Sequence, residues 1–358
     1  MLRDELLRAI ASTPEDFAPR LVYADWLEET GELARATRIR TECTLDGVPR
    51  FDARWRAHRA WERATGTATE DSFQWLLGSY LYELGPSRGG FIEGVGGVVS
   101  ELRRLPEVAA AWPVRSLRLT DDSRMPPLHV PTVVACPTVA QLAGLQLESA
   151  RLDAHAAAAL GDSPQLAKLR RLALGYDSVT GDGLRVLLQT PLAARLTDLS
   201  VTGGMHHDHA WPLHQVLARA KLPALRRLRV SFERRASTWL GPLLERHDLE
   251  ELDLFSVELD AAAWQALATS ARLPAWLKLC KAGAPNADWL RAFADSRHRR
   301  RVRSLELTGT RIGVAGARAL IAATWPALEQ LELADTGIDA RVATELAAAG
   351  ARFPKLAS

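Results

Sequence analysis

Val114-Arg115-Ser116-Leu117-Arg118-Leu119 is the first of nine stretches that share one pattern. Each has an apolar residue, two residues of any kind, leucine, one residue of any kind, and a closing apolar residue. The pattern returns at Leu142–Leu147, Leu169–Leu174, Leu196–Val201, Leu225–Val230 and Leu249–Leu254. It continues through a degenerate Pro274–Leu279, then Val302–Leu307 and Leu328–Leu333. The central leucines stand at 117, 145, 172, 199, 228, 252, 277, 305 and 331, a step of 24 to 29 residues. One such phrase in a leucine-rich chain could be accidental, but nine in fixed phase could not.

The residues after each phrase agree with it. The apolar spacing changes from about 2 to about 3.6 residues, the mark of a strand giving way to an amphipathic helix. Helices are expected at Gly183–Leu188, Ala261–Ala268, Ala287–Phe293, Gly316–Ala322 and Ala340–Ala347. Period and phrase together are the signature of a leucine-rich-repeat solenoid, in which stacked units bury what one unit cannot. The stretch from Leu305 to Leu320 most closely resembles the ribonuclease-inhibitor type of repeat, whose helix lies on the convex side. The fold expected is therefore α/β: about nine repeats with a parallel concave sheet, convex helices and an N-terminal helical cap.

This pattern divides the chain into three segments: residues 1–45, a helical module; 46–112, a helical connector; and 113–358, the solenoid. In the first, Thr13 reads as an N-cap before Pro14, and Phe17, Leu21, Val22 and Trp26 read as the buried stripe of the next helix. Further helices are expected over 32–44, 50–64, 69–84 and 98–111, with the glycines from Gly85 to Gly97 acting as breakers. The run from Leu6 to Glu29, above all Pro19-Arg20-Leu21-Val22-Tyr23-Ala24-Asp25-Trp26-Leu27-Glu28-Glu29, resembles the bacterial repeat-companion domain. Trp75-Leu76-Leu77-Gly78 and Arg88-Gly89-Gly90-Phe91-Ile92-Glu93-Gly94-Val95 are similar to the connector that joins that domain to its repeats. After Gly31 the match departs, where Leu33-Ala34-Arg35-Ala36-Thr37-Arg38-Ile39 stands. The resemblance implies an architecture, in bacteria, of a helical module ahead of leucine-rich repeats; it implies no biochemical activity.

Composition narrows the function. The chain has 358 residues, 47% apolar and 25% charged, with a net charge of +2, so no global field favours nucleic acid or a membrane surface. Cys43, Cys136 and Cys280 are odd in number and far apart, which supports neither a disulfide framework nor a zinc finger. With no apolar leader and no apolar run near 18 residues, the expectation is a reduced, cytoplasmic protein. No glycine-rich phosphate loop, His-Glu-x-x-His or Gly-x-Ser-x-Gly occurs, and the protein is expected not to be an enzyme and to need no cofactor.

Several clusters carry possible chemistry. His206, His207, Asp208 and His209 offer metal-ligand types, but they follow one another in a glycine turn, where adjacent side chains diverge. Cys280 is expected on the concave face beside Phe255 and Thr308, with no histidine at equivalent positions to activate it. Two arginine runs, Arg226–Arg235 and Arg297–Arg303, could track phosphates, yet Glu250, Glu251, Asp253, Glu306, Glu329 and Glu332 interleave with them, and nucleic acid is not the expected partner. Alternation within each phrase turns the leucines inward and exposes the residues between them. The concave surface so read includes Arg227, Arg229, Glu251, Asp253, Phe255, Trp276, Lys278 and Glu306. Alternating charge around two aromatics suits a protein partner, with the aromatics as anchors. The alternative is an F-box-like ubiquitin-ligase adaptor: Asp4–Ile10 superficially resembles an F-box start, but the leading Leu-Pro is absent.

Overall fold

The structure, a computed structural model, describes residues 2–48, 52–65, 81–84, 88–91, 93–120, 130–150, 152–175, 179–203, 213–231 and 239–356. The chain divides into two compact units: Met1–Ala150 with Ser163–Leu169, and Arg151–Asp162 with Arg170–Ser358.

The first unit opens with helices α1 (Leu2–Ser12), α2 (Ala18–Glu29), α3 (Leu33–Thr44) and α4 (Ala53–Thr65). Thr13 is not an N-cap. Its hydroxyl and its backbone N–H both bond the Ala9 carbonyl, closing α1, while α2 starts later, with the Asp16 carboxylate accepting from Ala18 N–H. The buried face of α2 is also displaced from the expected stripe: Arg20, Tyr23, Ala24 and Leu27 are inside, whereas Leu21 and Val22 are 40% and 52% exposed. An arginine has taken a core position, and the helix is rotated to suit it.

The connector departs most from expectation. Of the helix expected over 69–84, residues 69–80 lie outside the described residues and Leu81–Leu84 forms strand β1 instead; Gly94–Val98, expected to be a break, forms strand β2. These two pair antiparallel, and β2 pairs parallel with β3 (Ser116–Thr120), which pairs with β4 (Gly144–Glu148). The cap is therefore not helical throughout: β1 covers the edge of β2 that a purely helical module would have to shield. The stretch expected to be one helix over 98–111 splits into a 3-10 turn, Val99–Arg104, and helix α5 (Leu105–Ala111).

Among the described residues, the second unit holds seven parallel strands: β5 (Arg171–Gly175), β6 (Asp198–Thr202), β7 (Arg227–Ser231), β8 (Glu251–Phe255), β9 (Trp276–Cys280), β10 (Ser304–Glu306) and β11 (Gln330–Glu332). Each lies within its leucine phrase or runs one residue past it. Register is strict: Leu172, Leu199, Leu228, Leu252, Leu277, Leu305 and Leu331 stand opposite one another from strand to strand. The first six are buried, and each contributes about 1.5–3 kcal/mol by leaving water.

Two further features repeat with the leucines. Ser256, Lys281, Gly309 and Asp335, each four residues past a central leucine, take left-handed backbone angles of 53 to 71° and end the strand in a turn. Further along their repeats, Thr180, Asp260 and Asp339 cap the next helix, each accepting from a backbone N–H three positions on. Asn286 does the same for Ala287–Asp295. Removing such a cap typically costs about 1 kcal/mol. The helices bury Trp264, Phe293 and Trp325, whose rings meet in succession at 5.8 Å.

Candidate functional site

The structure gathers all eight expected partner-binding residues on four adjacent strands, β7 to β10. One row across the sheet runs Asp198, Arg227, Glu251, Trp276, Ser304. The next runs Ser200, Arg229, Asp253, Lys278, Glu306, so opposite charges face each other along the row. A third brings Ser231, Phe255 and Cys280 together.

These charges are matched to one another. Arg227 grips Asp198 with two nitrogens, Arg229 Nε lies 3.3 Å from Asp253, and Lys278 Nζ lies 2.8 Å from Glu251. The arginines keep much of their surface in water: their side chains are 45% and 57% exposed. Asp253 differs, for it is buried. Burial pushes its carboxyl above the ordinary value, against the pull of Arg229 and Lys278.

Phe255 and Trp276 are half-buried among these charges. Lys281 Nζ stands 5.1 Å from the centre of the Phe255 ring, a cation–π contact. Alternation along the strand does not place Lys281 here, because the left-handed turn at that residue breaks the two-residue period. Cys280 does lie beside Phe255, but it is buried, and its thiol donates to Glu306 Oε1 at 3.2 Å. Burial first, then that hydrogen bond and the charge of Glu306, push its pKa up to about 12. Such a thiol stays protonated at neutral pH, the opposite of what a nucleophile needs.

His206, His207, Asp208 and His209 lie outside the described residues. Among the described residues, Glu42, His58 and Glu62 in the first unit bring one potential ligand atom each within 4.8 Å. There, Arg38 Nε already lies 3.3 Å from Glu42 and 3.1 Å from Glu62, so a guanidinium serves both carboxylates.

The residues that carry the companion-domain resemblance have structural work in the first unit. Arg20 is wholly buried: it donates to the Arg88 carbonyl, to the Pro14 carbonyl at 2.8 Å and to Glu93 Oε1 at 2.6 Å. Arg88 clasps Asp46 with two nitrogens and packs over Phe17. Gly90 has φ +80° and donates to Glu42 Oε2; a Cβ there would meet Ile39 Cγ1 at 2.3 Å. The Arg-Gly-Gly-Phe motif is thus a turn that only glycine allows, locked against α2 and α3.

No family model matches the chain, and no curated protein matches it. Among solved structures, it is similar to the complex of Rad7 and Elc1 in yeast, at 16% identity and a TM-score of 0.50. That match covers 93% of this chain and 88% of the other. At such identity the likeness concerns fold alone, and the fold agrees with the one the repeats define: an α/β leucine-rich-repeat solenoid with an N-terminal cap. No described helix is long and apolar enough to cross a membrane.

Proposed function

We propose that this protein is a non-enzymatic recognition scaffold, and that a protein partner binds the sheet face of the second unit over β7 to β10. The observation that carries this reading is the patch itself: ordered rows of alternating charge on rigid strands, around the half-buried Phe255 and Trp276. Aromatic anchors supply affinity, and charges that can exchange their intramolecular partners for a ligand's supply register and specificity. Preordered strands reduce the entropy lost on binding. The similar fold of Rad7 was solved in a complex with another protein, Elc1, which is consistent with this use of the architecture.

The test is capture from the native host's extract by the full chain and by an Arg229→Glu/Lys278→Glu variant of equal thermal stability. We expect a protein retained by the wild type to be lost from the variant. Equal retention by both would move the binding surface elsewhere.

A further inference from the structure

A second feature of the same unit lies away from the rows of charge on the sheet. Just ahead of strands β7 to β10, successive repeats contribute Arg226, Arg246, Arg272 and Arg301 to one cleft of about 450 Å³. The volume lies within the range of small-molecule sites. Arg226 belongs to one of the arginine runs in the sequence and Arg301 to the other, so the fold unites two clusters that are distant in the chain.

Each guanidinium is held in place through a single carbonyl. Arg246 Nη1 bonds the Arg219 carbonyl at 3.3 Å, Arg272 Nη1 that of Glu245 at 2.8 Å, and Arg301 Nη1 that of Ala271 at 2.6 Å. These carbonyls lie at or just beyond the C-terminal ends of the helices of preceding repeats, where a cation is favoured. Arg226 Nη1 bonds the Asp248 carbonyl at 3.3 Å. A guanidinium has five N–H donors, so most remain available on all four.

Charge in the cleft is unbalanced. The sheet face has a carboxylate for nearly every cation, but here Asp248 is the only acidic residue in the lining, 3.6 Å from Arg301. Among the described residues, Arg226, Arg246 and Arg272 have no carboxylate within ion-pair distance. Four arginines and one aspartate leave the lining at +3 with His247 neutral (4 − 1 = 3). His247 adds a separate observation. It is buried, with 5% of its surface exposed, and burial lowers its pKa, which favours the neutral ring.

The geometry points to this cleft as a binding site for a small phosphorylated molecule that carries a diphosphate group. Guanidinium forks match phosphoryl oxygens two at a time, and the lining charge matches that of a diphosphate. Because helix ends already order the arginines, little side-chain freedom is lost on binding. The site is distinct from the protein-binding face and does not depend on it.

Calorimetric titration of the full chain with inorganic pyrophosphate in about 0.1 M salt tests the assignment, at an ionic strength where exposed charges are screened within about 10 Å. We expect one site, with affinity reduced about tenfold or more in Arg272→Glu and in Arg301→Glu, the loss of a charge-assisted contact. Arg226→Gln, whose arm touches only a loop carbonyl, keeps the test open if the others fold poorly, and it should also weaken binding. Arg318→Glu, a change at an arginine outside the cleft, should bind as the wild type does. Absence of heat with the wild type, or equal affinity across all variants, overturns the assignment. So does a single-stranded oligonucleotide that binds more tightly as it lengthens, which would make the cleft part of a nucleic-acid track.

Discussion

Arg20–Glu93 in the first unit and Arg227–Asp198 in the second are the same chemical pair in opposite settings. The side chains of the first are 0% and 9% exposed; those of the second are 45% and 21% exposed. In the first unit the pair is part of the architecture. Arg20 also serves two carbonyls and lies near the rings of Phe17 and Phe91, so no solvent can replace its partners. In the second unit the pair is one of several on a wet sheet face, where water or a ligand can take either partner's place. Burial, rather than residue type, decides whether an ion pair specifies the fold or remains available for recognition.

This contrast orders the expected mutational effects. The largest is set by the leucine column. Leu199→Asp places an unpaired charge among buried leucines of β5 and β7 and should cost more than about 4 kcal/mol, abolishing the cooperative unfolding transition of the second unit. A folded variant with a near-normal melting temperature would refute the stacked register.

Next comes Arg20→Leu, which takes from Glu93 its buried partner at 2.6 Å, leaving Arg88 at 3.3 Å and Arg115 at 3.9 Å, and should cost about 3 kcal/mol in chemical denaturation. Arg20→Leu/Glu93→Leu should regain part of that loss, because two apolar groups replace two buried charges. A double variant worse than the single one would show that the carbonyl contacts of Arg20, not its charge, hold the turn.

Arg227→Ala should change stability by no more than about 1 kcal/mol, as for other exposed pairs. A loss as large as that of Arg20→Leu would erase the distinction between the two regions.

The smallest effect concerns Asp253. Its folded pKa is raised, so its contribution to stability is present below the unfolded-state value and lost as pH rises through the folded value. Above that window the buried carboxyl weighs against the fold, and at pH 7 Asp253→Asn should be as stable as the wild type or slightly more so. A clear loss of stability at pH 7 would mean that Arg229 and Lys278 outweigh burial.

The repeats were legible because their signal is redundant. Every phrase places its leucine in the same column, and the degenerate seventh phrase still forms β9 because its neighbours fix the register. The eight surface residues came from alternation alone. The first unit was harder to read, since its logic is polar. Leu21 and Val22 look like core, yet Arg20 takes the interior because Glu93, far along the chain, is there to meet it. Gly94–Val98 looks like a break because glycine is poor in strands, but pairing on both sides makes it one. The arginine cleft was only half legible: Arg226 and Arg301 belong to the two arginine runs, but Arg246 and Arg272 do not, and the four sit at non-equivalent offsets on different repeats and meet only when the repeats stack.

Phe255→Ala bears most directly on the central claim, that the β7–β10 face binds the partner. Phe255 is half-buried at the end of its strand, so truncation removes an anchor while leaving the leucine columns intact. Its affinity for the captured partner, measured beside its melting temperature, should fall about tenfold or more while the melting temperature stays at the wild-type value. Wild-type affinity in Phe255→Ala, together with wild-type affinity in Arg229→Glu, would contradict the account.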